Sequence, residues 1–270
     1  MQEDRLITKR PKNLKMSTKQ IKDELNLSCS SMTVWRRLNT DPNIRFGKHK
    51  SKPKLNTTAK NKRLAFAIAK VSMSADHWSK VIWTDEKKFN LDGPDGLRSY
   101  WYDLRSEKTI FSKRHSGGSS CMIWAGLNEN GVTPLAFCSG KMNSESYQEI
   151  LESYLLPNAS NLTHGNFILM QDNAPPHRSR SITDWLTMNQ VEKFDWPPYS
   201  PDLNTIENLW GCLVRKVYDN GRQFDSIDQL KREIVTQGSK IPLELTKSLC
   251  SSIKNRLIKF IQNKGGSIDY

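Results

Sequence analysis

From residue 81 onward the apolar residues fall into short runs that alternate with longer, helically spaced sets. Val81-Ile82-Trp83, Cys121 to Ala125, Val132 to Phe137, Phe167 to Met170 and Val191 to Phe194 are dominated by apolar residues, many of them β-branched or aromatic. They are separated by turn formers such as Gly93-Pro94-Asp95-Gly96, Gly117-Gly118 and Asn128-Glu129-Asn130-Gly131, the pattern of buried strands. Ser144 to Leu156, Ser179 to Asn189 and Asn204 to Tyr218 instead repeat their apolar residues at helical spacing, which predicts helices with one buried face. Strands interleaved with helices in this order predict an α/β fold, a mixed sheet covered by helices.

The first eighty residues carry a different pattern. Ser17 can cap a helix with Gln20 in the reciprocal position, and Ile21 and Leu25 place apolar side chains four apart, so a short helix is expected. After the Asn26-Leu27-Ser28 break, Ser30 or Ser31 can cap a second helix in which Val34 and Leu38 face inward and Thr33, Arg36 and Arg37 face out. This is a helix-turn-helix reading, in which the second helix enters the major groove and arginine pairs with guanine or holds phosphates. Two short amphipathic helices also occur in proteins that never touch DNA. From Arg45 to Arg63 the chain is basic and poor in apolar residues, with Arg45, Lys48, Lys50, Lys52 and Lys54 around Gly47 and Pro53. Such a linker can follow a DNA backbone, enter a minor groove or serve as a nuclear import address, or be only a tether. A further helix is expected over roughly Thr58 to Met73. The resulting division is a helix-turn-helix segment over 1–44, a basic linker and helix over 45–79, and a larger α/β domain over 80–270.

Charge sharpens this picture. The chain of 270 residues has 41 Lys and Arg against 28 Asp and Glu, a net charge of +13. Residues 1–80 hold 19 basic and 6 acidic side chains, and the remainder hold 22 of each, so the whole excess lies at the N-terminal end. Concentrated positive charge suits a polyanion, because each neutralised phosphate releases counterions. A solvated basic tail or an anionic membrane surface is the plainer alternative, and the coincident helix-turn-helix pattern makes double-stranded DNA the leading partner. The longest mostly apolar stretch, Leu64 to Val71, is too short for a membrane span and contains Lys70. The acidic and basic opening of the chain reads against a secretory signal. Five cysteines without a C-x-x-C pair suggest neither a disulfide framework nor a zinc ribbon, and fit a reducing compartment.

Three acids stand out against this background. Val81 to Thr84 runs into Asp85 and Phe167 to Gln171 runs into Asp172; a carboxylate at the end of a buried strand is costly unless paired or bound to a cation. A turn or helix cap explains either Asp alone, and Asp172-Asn173-Ala174-Pro175-Pro176 has the look of a turn. Glu207 follows Asn204 by three residues, so a capping box accounts for it completely. Three carboxylates on separate rigid elements would equally provide the oxygen-rich, incomplete shell that Mg²⁺ prefers, open to water and phosphate oxygens. That arrangement suits phosphoryl transfer.

The residues around these acids, VIWTDEKKFNL, FILMQDNAPPH and WPPYSPDLNTIENLWG, with 34 residues between Asp172 and Glu207, resemble the DDE transposases of the Tc/mariner superfamily in its Tc-like branch. The SGGSSCMIWAG segment, the TVWRRL helix and the ending KGGSIDY look like family features as well. The resemblance implies an RNase H-like catalytic domain preceded by the small all-α helix-turn-helix segment. It implies that Asp85, Asp172 and Glu207 are catalytic and bind two Mg²⁺ or Mn²⁺ ions. It also implies hydrolysis at the element's terminal inverted repeats, 3′-hydroxyl attack on TA target DNA, and a homodimer or higher complex on DNA in the nucleus.

Within the same motifs, Asn173 and His177 match positions that support the site or contact DNA, with a supporting role expected for His177. Pro197, Pro198 and Pro201 are expected to stiffen the approach to the Glu207 helix. Two departures stand against the pattern. Only one helix-turn-helix unit is evident where the family carries two, which leaves open a truncated or repurposed copy that binds DNA without cutting it. Thr205 replaces a common proline, with little effect expected on the carboxylate.

Overall fold

In this computed structural model, residues 17–42, 55–93, 119–140 and 142–269 are described; Arg45, Lys48, Lys50, Lys52 and Lys54 lie outside them. The chain divides into two compact units, Met1–Lys52 and Pro53–Tyr270.

The first unit contains α1 (Thr18–Glu24) and α2 (Ser31–Thr40). The capping box at its start is formed, with the Gln20 N–H donating to Ser17 Oγ at 3.2 Å and the Ser17 N–H to Gln20 Oε1 at 2.8 Å. Ser30 Oγ accepts from the Thr33 N–H at 3.2 Å and caps α2. Ile21, Leu27 and Val34 form the apolar contact between the helices, with Leu25 and Leu38 packed at its edge. Thr33, Arg36 and Arg37 are exposed.

The second unit is built on a six-stranded sheet of β1 (Val81–Asn90), β2 (Ser120–Asn128), β3 (Gly131–Val132), β4 (Ala136–Cys138), β5 (Ile168–Met170) and β6 (Glu192–Lys193). Their order is β3-β2-β1-β5-β6, with β4 also paired to β2. β2 runs antiparallel to β1, whereas β5 is parallel to β1 and β6 to β5. The run expected as one strand from Val132 to Phe137 is two short pieces, β3 and β4. Pro134 lies between them and lacks a ladder donor.

Around the sheet lie α3 (Thr57–Lys70), α4 (Ala75–Ser79), α5 (Ser144–Ile150), α6 (Leu156–Thr163), α7 (Arg180–Met188), α8 (Ile206–Val217), α9 (Ile227–Gly238), α10 (Leu243–Ser251) and α11 (Ile253–Gln262). A π-helical turn, Leu151–Leu155, joins α5 to α6, so the helix expected to stop near Leu156 continues to Thr163. Strand alternation sorts the core into two layers. Val81, Trp83, Ile123, Ala125, Ile168 and Met170 join a core with α3, α8, α9, α10 and α11, while Ile82, Trp124, Ala136 and Leu169 join one with α5, α6 and α7. By the same alternation Asp85 falls on the α8 side of β1 and Glu86 on the α5 side. Gly126 is required where β2 passes this layer, because a Cβ there would lie 2.8 Å from Ile82 Cγ2.

α3 lies within the second unit, Pro53–Tyr270, and packs as an integral part of it. Its Arg63 is fully buried and forms a two-pronged pair with Asp202 at 2.9 and 2.7 Å. The same guanidinium donates to Tyr199 O at 2.6 Å and Gly265 O at 2.8 Å, and lies 4.1 Å over the Phe260 ring. The Ile268 N–H donates to Asp202 Oδ2 at 3.0 Å. Gly265, at φ +74°, is pressed so close that a Cβ would lie 2.1 Å from Lys60 O. Among the described residues, no helix is long and apolar enough to cross a membrane.

Candidate active site

β1 and β5 run parallel with Val81 opposite Ile168 and Trp83 opposite Met170. Carried two residues further, that register sets Asp172, just past the carboxyl end of β5, level with Asp85 in the middle of β1. Glu207 comes from the first turn of α8. All three acids line one cavity of about 460 Å³, together with Asn173, Arg178, Trp196, Tyr199 and Asn204.

Each acid is held differently. Trp210, one turn along α8 from Glu207, donates its indole N–H to Asp85 Oδ2 at 3.1 Å. Burial raises the Asp85 carboxyl well above its ordinary range, and the neighbouring Glu207 and Glu86 carboxylates add to the rise. Burial likewise raises Glu207, against which Lys87 acts. Asp172 behaves oppositely. Burial works to raise it, but the hydrogen bonds from His177 and the Ala174 N–H prevail and lower it. His177 Nδ1 lies 2.7 Å from Asp172 Oδ1, and its Nε2 lies 3.5 Å from Glu86 Oε1. Burial alone would push the imidazole down; the two carboxylates outweigh it and bring it to about 9. The two carboxylates therefore favour the charged imidazole, which lies between Asp172 and Glu86. Tyr147 backs it with a ring centroid 4.0 Å away and donates its hydroxyl to Gln171 Oε1 at 2.8 Å.

The capping box expected for Glu207 is not formed. α8 begins at Ile206 with Thr205 as its N-cap and no side-chain cap. The Asn204 amide instead crosses to β1, donating from Nδ2 to Thr84 O at 3.1 Å. This leaves Glu207 on the cavity wall and ties its helix to the residue next to Asp85. Thr205 has φ −69°, close to the angle proline imposes, so the exchange of residue type preserves the backbone path. Asn173 donates from Nδ2 to Trp196 O at 2.7 Å and so fastens the loop after β5 to the proline-rich approach. Asn204 was read from sequence only as a helix cap, and Trp210, Glu86, Tyr147 and Arg178 were not singled out. The placement of Trp210 three residues beyond Glu207 on one helix face was the available signal for it.

Asp172 leans on His177 and Asp85 on Trp210, so the carboxylates share a cavity rather than one coordination point. Among the described residues, no three His, Cys, Asp or Glu side chains form a ready metal cluster. The donor set nevertheless fits a hard divalent cation. It is all oxygen, two of its members carry buried charge with little compensation, and the cavity leaves room for water and phosphate.

Comparison with known proteins gives the same picture from a different direction. The family model described as DDE superfamily endonuclease matches residues 80–231, and a helix-turn-helix model described as Transposase matches residues 4–72. The Tc3 transposase of Caenorhabditis elegans is 40% identical over 270 residues, covering 100% of this chain and 81% of the relative. The Tc1 transposase of the same organism is 30% identical over 247 residues, 89% of this chain and 88% of the relative. The structure of a Mos1 transposase paired-end complex with left transposon end superposes with a TM-score of 0.78 at 20% identity, covering 99% of this chain and 79% of that one. A Mos1 paired-end complex with Mn gives 0.76, also at 20% identity, covering 98% and 79%. These likenesses establish an RNase H-like fold.

Proposed function

The chain belongs to the DDE transposases of the Tc/mariner superfamily, and from that premise we propose that it cuts the ends of its element and joins them to TA sites in target DNA. The observation that carries this reading is the meeting of Asp85, Asp172 and Glu207, from three separate elements, on the wall of one cavity.

In this reading the three carboxylates hold two Mg²⁺ or Mn²⁺ ions. Such ions would neutralise charge on the scissile phosphate and acidify the attacking water or 3′-hydroxyl. The protein's own part is to position and to balance charge. Trp210 orients Asp85, His177 fixes Asp172, and Asn204 anchors the start of the Glu207 helix to β1. Arg178 brings a positive charge to a cavity whose acids would otherwise repel a phosphodiester. The exposed Thr33, Arg36 and Arg37 of α2 read the terminal inverted repeats, aided by Arg45, Lys48, Lys50, Lys52 and Lys54. Two ends per event call for a dimer or higher complex on DNA, working on chromosomes in the nucleus. The named Mos1 complexes with transposon ends and with Mn support these assignments by analogy of fold.

The test is to incubate purified protein with Mn²⁺, a pre-cut element end and a plasmid target beside Asp172→Asn. Joining and nicking by the wild type alone is expected. DNA binding with no more nicking than Asp172→Asn would instead identify a transposon-derived regulator.

A further inference from the structure

Tyr199 occupies a position whose backbone favours a different residue. Its φ is +52°, and it follows Pro198 in a turn. Proline followed by a positive φ is the type II pattern, in which the second central residue is ordinarily Gly or Asn. Asn26, His164, Gln190, Asn220 and Lys264 are the other described non-glycine residues with positive φ, and Tyr199 carries the bulkiest side chain among them. Burial does not explain the choice, because Tyr199 is 65% exposed. The conformation is imposed from outside. Arg63 donates to Tyr199 O at 2.6 Å and to Ser200 Oγ at 3.0 Å, and Ser200 Oγ donates to Pro198 O at 3.0 Å. A strained residue that its surroundings hold in place, with its ring in solvent, points to use at a site.

That site is the cavity of the three acids, whose wall includes Tyr199. Carboxylates repel the phosphates that must approach them, and attraction that does not depend on net charge would add to that of Arg178 on the same wall. A phenol ring supplies it, because every base has a π-face and stacking tolerates any sequence. We infer that Tyr199 is a DNA-contacting residue that stacks on a nucleobase beside the scissile phosphate, an assignment that rests on the transposase reading above. The buried Arg63 clamp is the device that keeps the ring there.

The experiment uses the full chain and a short duplex with a single-stranded overhang bearing one 5-iodouracil at the junction. Irradiated with Asp172→Asn protein, which leaves the DNA uncut, the probe should cross-link to the peptide containing Tyr199, as read by mass spectrometry. Tyr199→Gly should melt no lower than wild type, since glycine adopts positive φ freely. It should nevertheless raise the DNA concentration for half-maximal nicking about tenfold, the size expected for one lost base stack. Tyr199→Phe should restore wild-type behaviour. A cross-link that maps elsewhere, or Tyr199→Gly nicking DNA as the wild type does, would overturn the inference. Failure of the wild type to nick beyond Asp172→Asn would sink the transposase reading instead, and the cross-link would still report on Tyr199.

Discussion

Asp85 and Glu207 are carboxylates kept where their charge is poorly accommodated, and this has a consequence for stability. Each has its pKa raised in the folded chain, chiefly by burial. An acid of this kind binds more protons folded than unfolded, so its stabilising contribution is whole below its ordinary value, 3.8 or 4.5, and is lost as pH rises through the folded value. Asp85→Asn and Glu207→Gln should therefore raise the melting temperature at neutral pH while abolishing metal-dependent cleavage; thermal melts and nicking assays check the two halves. Added Mg²⁺ should raise the wild-type melting temperature and have less effect on either variant.

In the His177–Asp172 pair both shifts favour the charged form instead. The histidine is raised from 6.5 to about 9 and the aspartate is lowered from 3.8. Their joint contribution is whole between 3.8 and 6.5. It fades as pH rises through about 9 or falls below 3.8. Denaturation profiles across this range should flatten in His177→Gln, and cleavage by that variant should fall about 10–100-fold, as for other partners that orient a metal ligand.

At the scale of elements, the placement of Glu207 depends on helices and loops far from it in sequence. The loop from Pro198 to Asn204 is gripped by Arg63 of α3 and by Arg256 of α11, whose Nη1 donates to Asp202 O at 3.1 Å and whose Nη2 donates to Asn208 Oδ1 at 2.6 Å. Breaking a buried pair strands a charge, so Arg63→Ala should cost about 3–5 kcal/mol of stability, measured by urea denaturation. Loss of the two-pronged geometry in Arg63→Lys should recover only part of it. Strand pairing does similar work on the other acids. The parallel register of β1 with β5 sets Asp85 and Asp172 at one level, and the pleat sends Asp85 toward α8 and Glu86 toward His177.

For the molecule as a whole, the exposed Arg36 and Arg37 lie in one compact unit and the three acids in the other. Arg36→Ala and Arg37→Ala should weaken DNA binding across the salt range. Each should reduce the slope of log affinity against log salt by about 1 if it holds a phosphate, with Asp85→Asn leaving that slope unchanged; fluorescence anisotropy at several salt concentrations checks this. Much of this organisation was legible beforehand. The serine caps, the inward Val34 and Leu38, the strand cores and the three acid-bearing motifs are local patterns, governed by periodicity and capping that a few adjacent residues suffice to express. Three features were not. Glu207 read as half of a capping box because Asn204 and Glu207 meet that spacing, yet the Thr84 carbonyl from β1 claims the asparagine. The helix expected over Thr58 to Met73 was set apart from the α/β domain because its decisive residue, Arg63, is basic like its neighbours, and only Asp202 and the C-terminal glycines make it core. Tyr199 gave no signal, because its strain exists only under the Arg63 clamp. The sequence by itself determined which elements form and which acids they carry, since those depend on neighbours along the chain. Which groups meet, and which carboxylates keep or lose their charge, was decided by the tertiary structure, because burial and hydrogen bonding act between residues that only folding brings together.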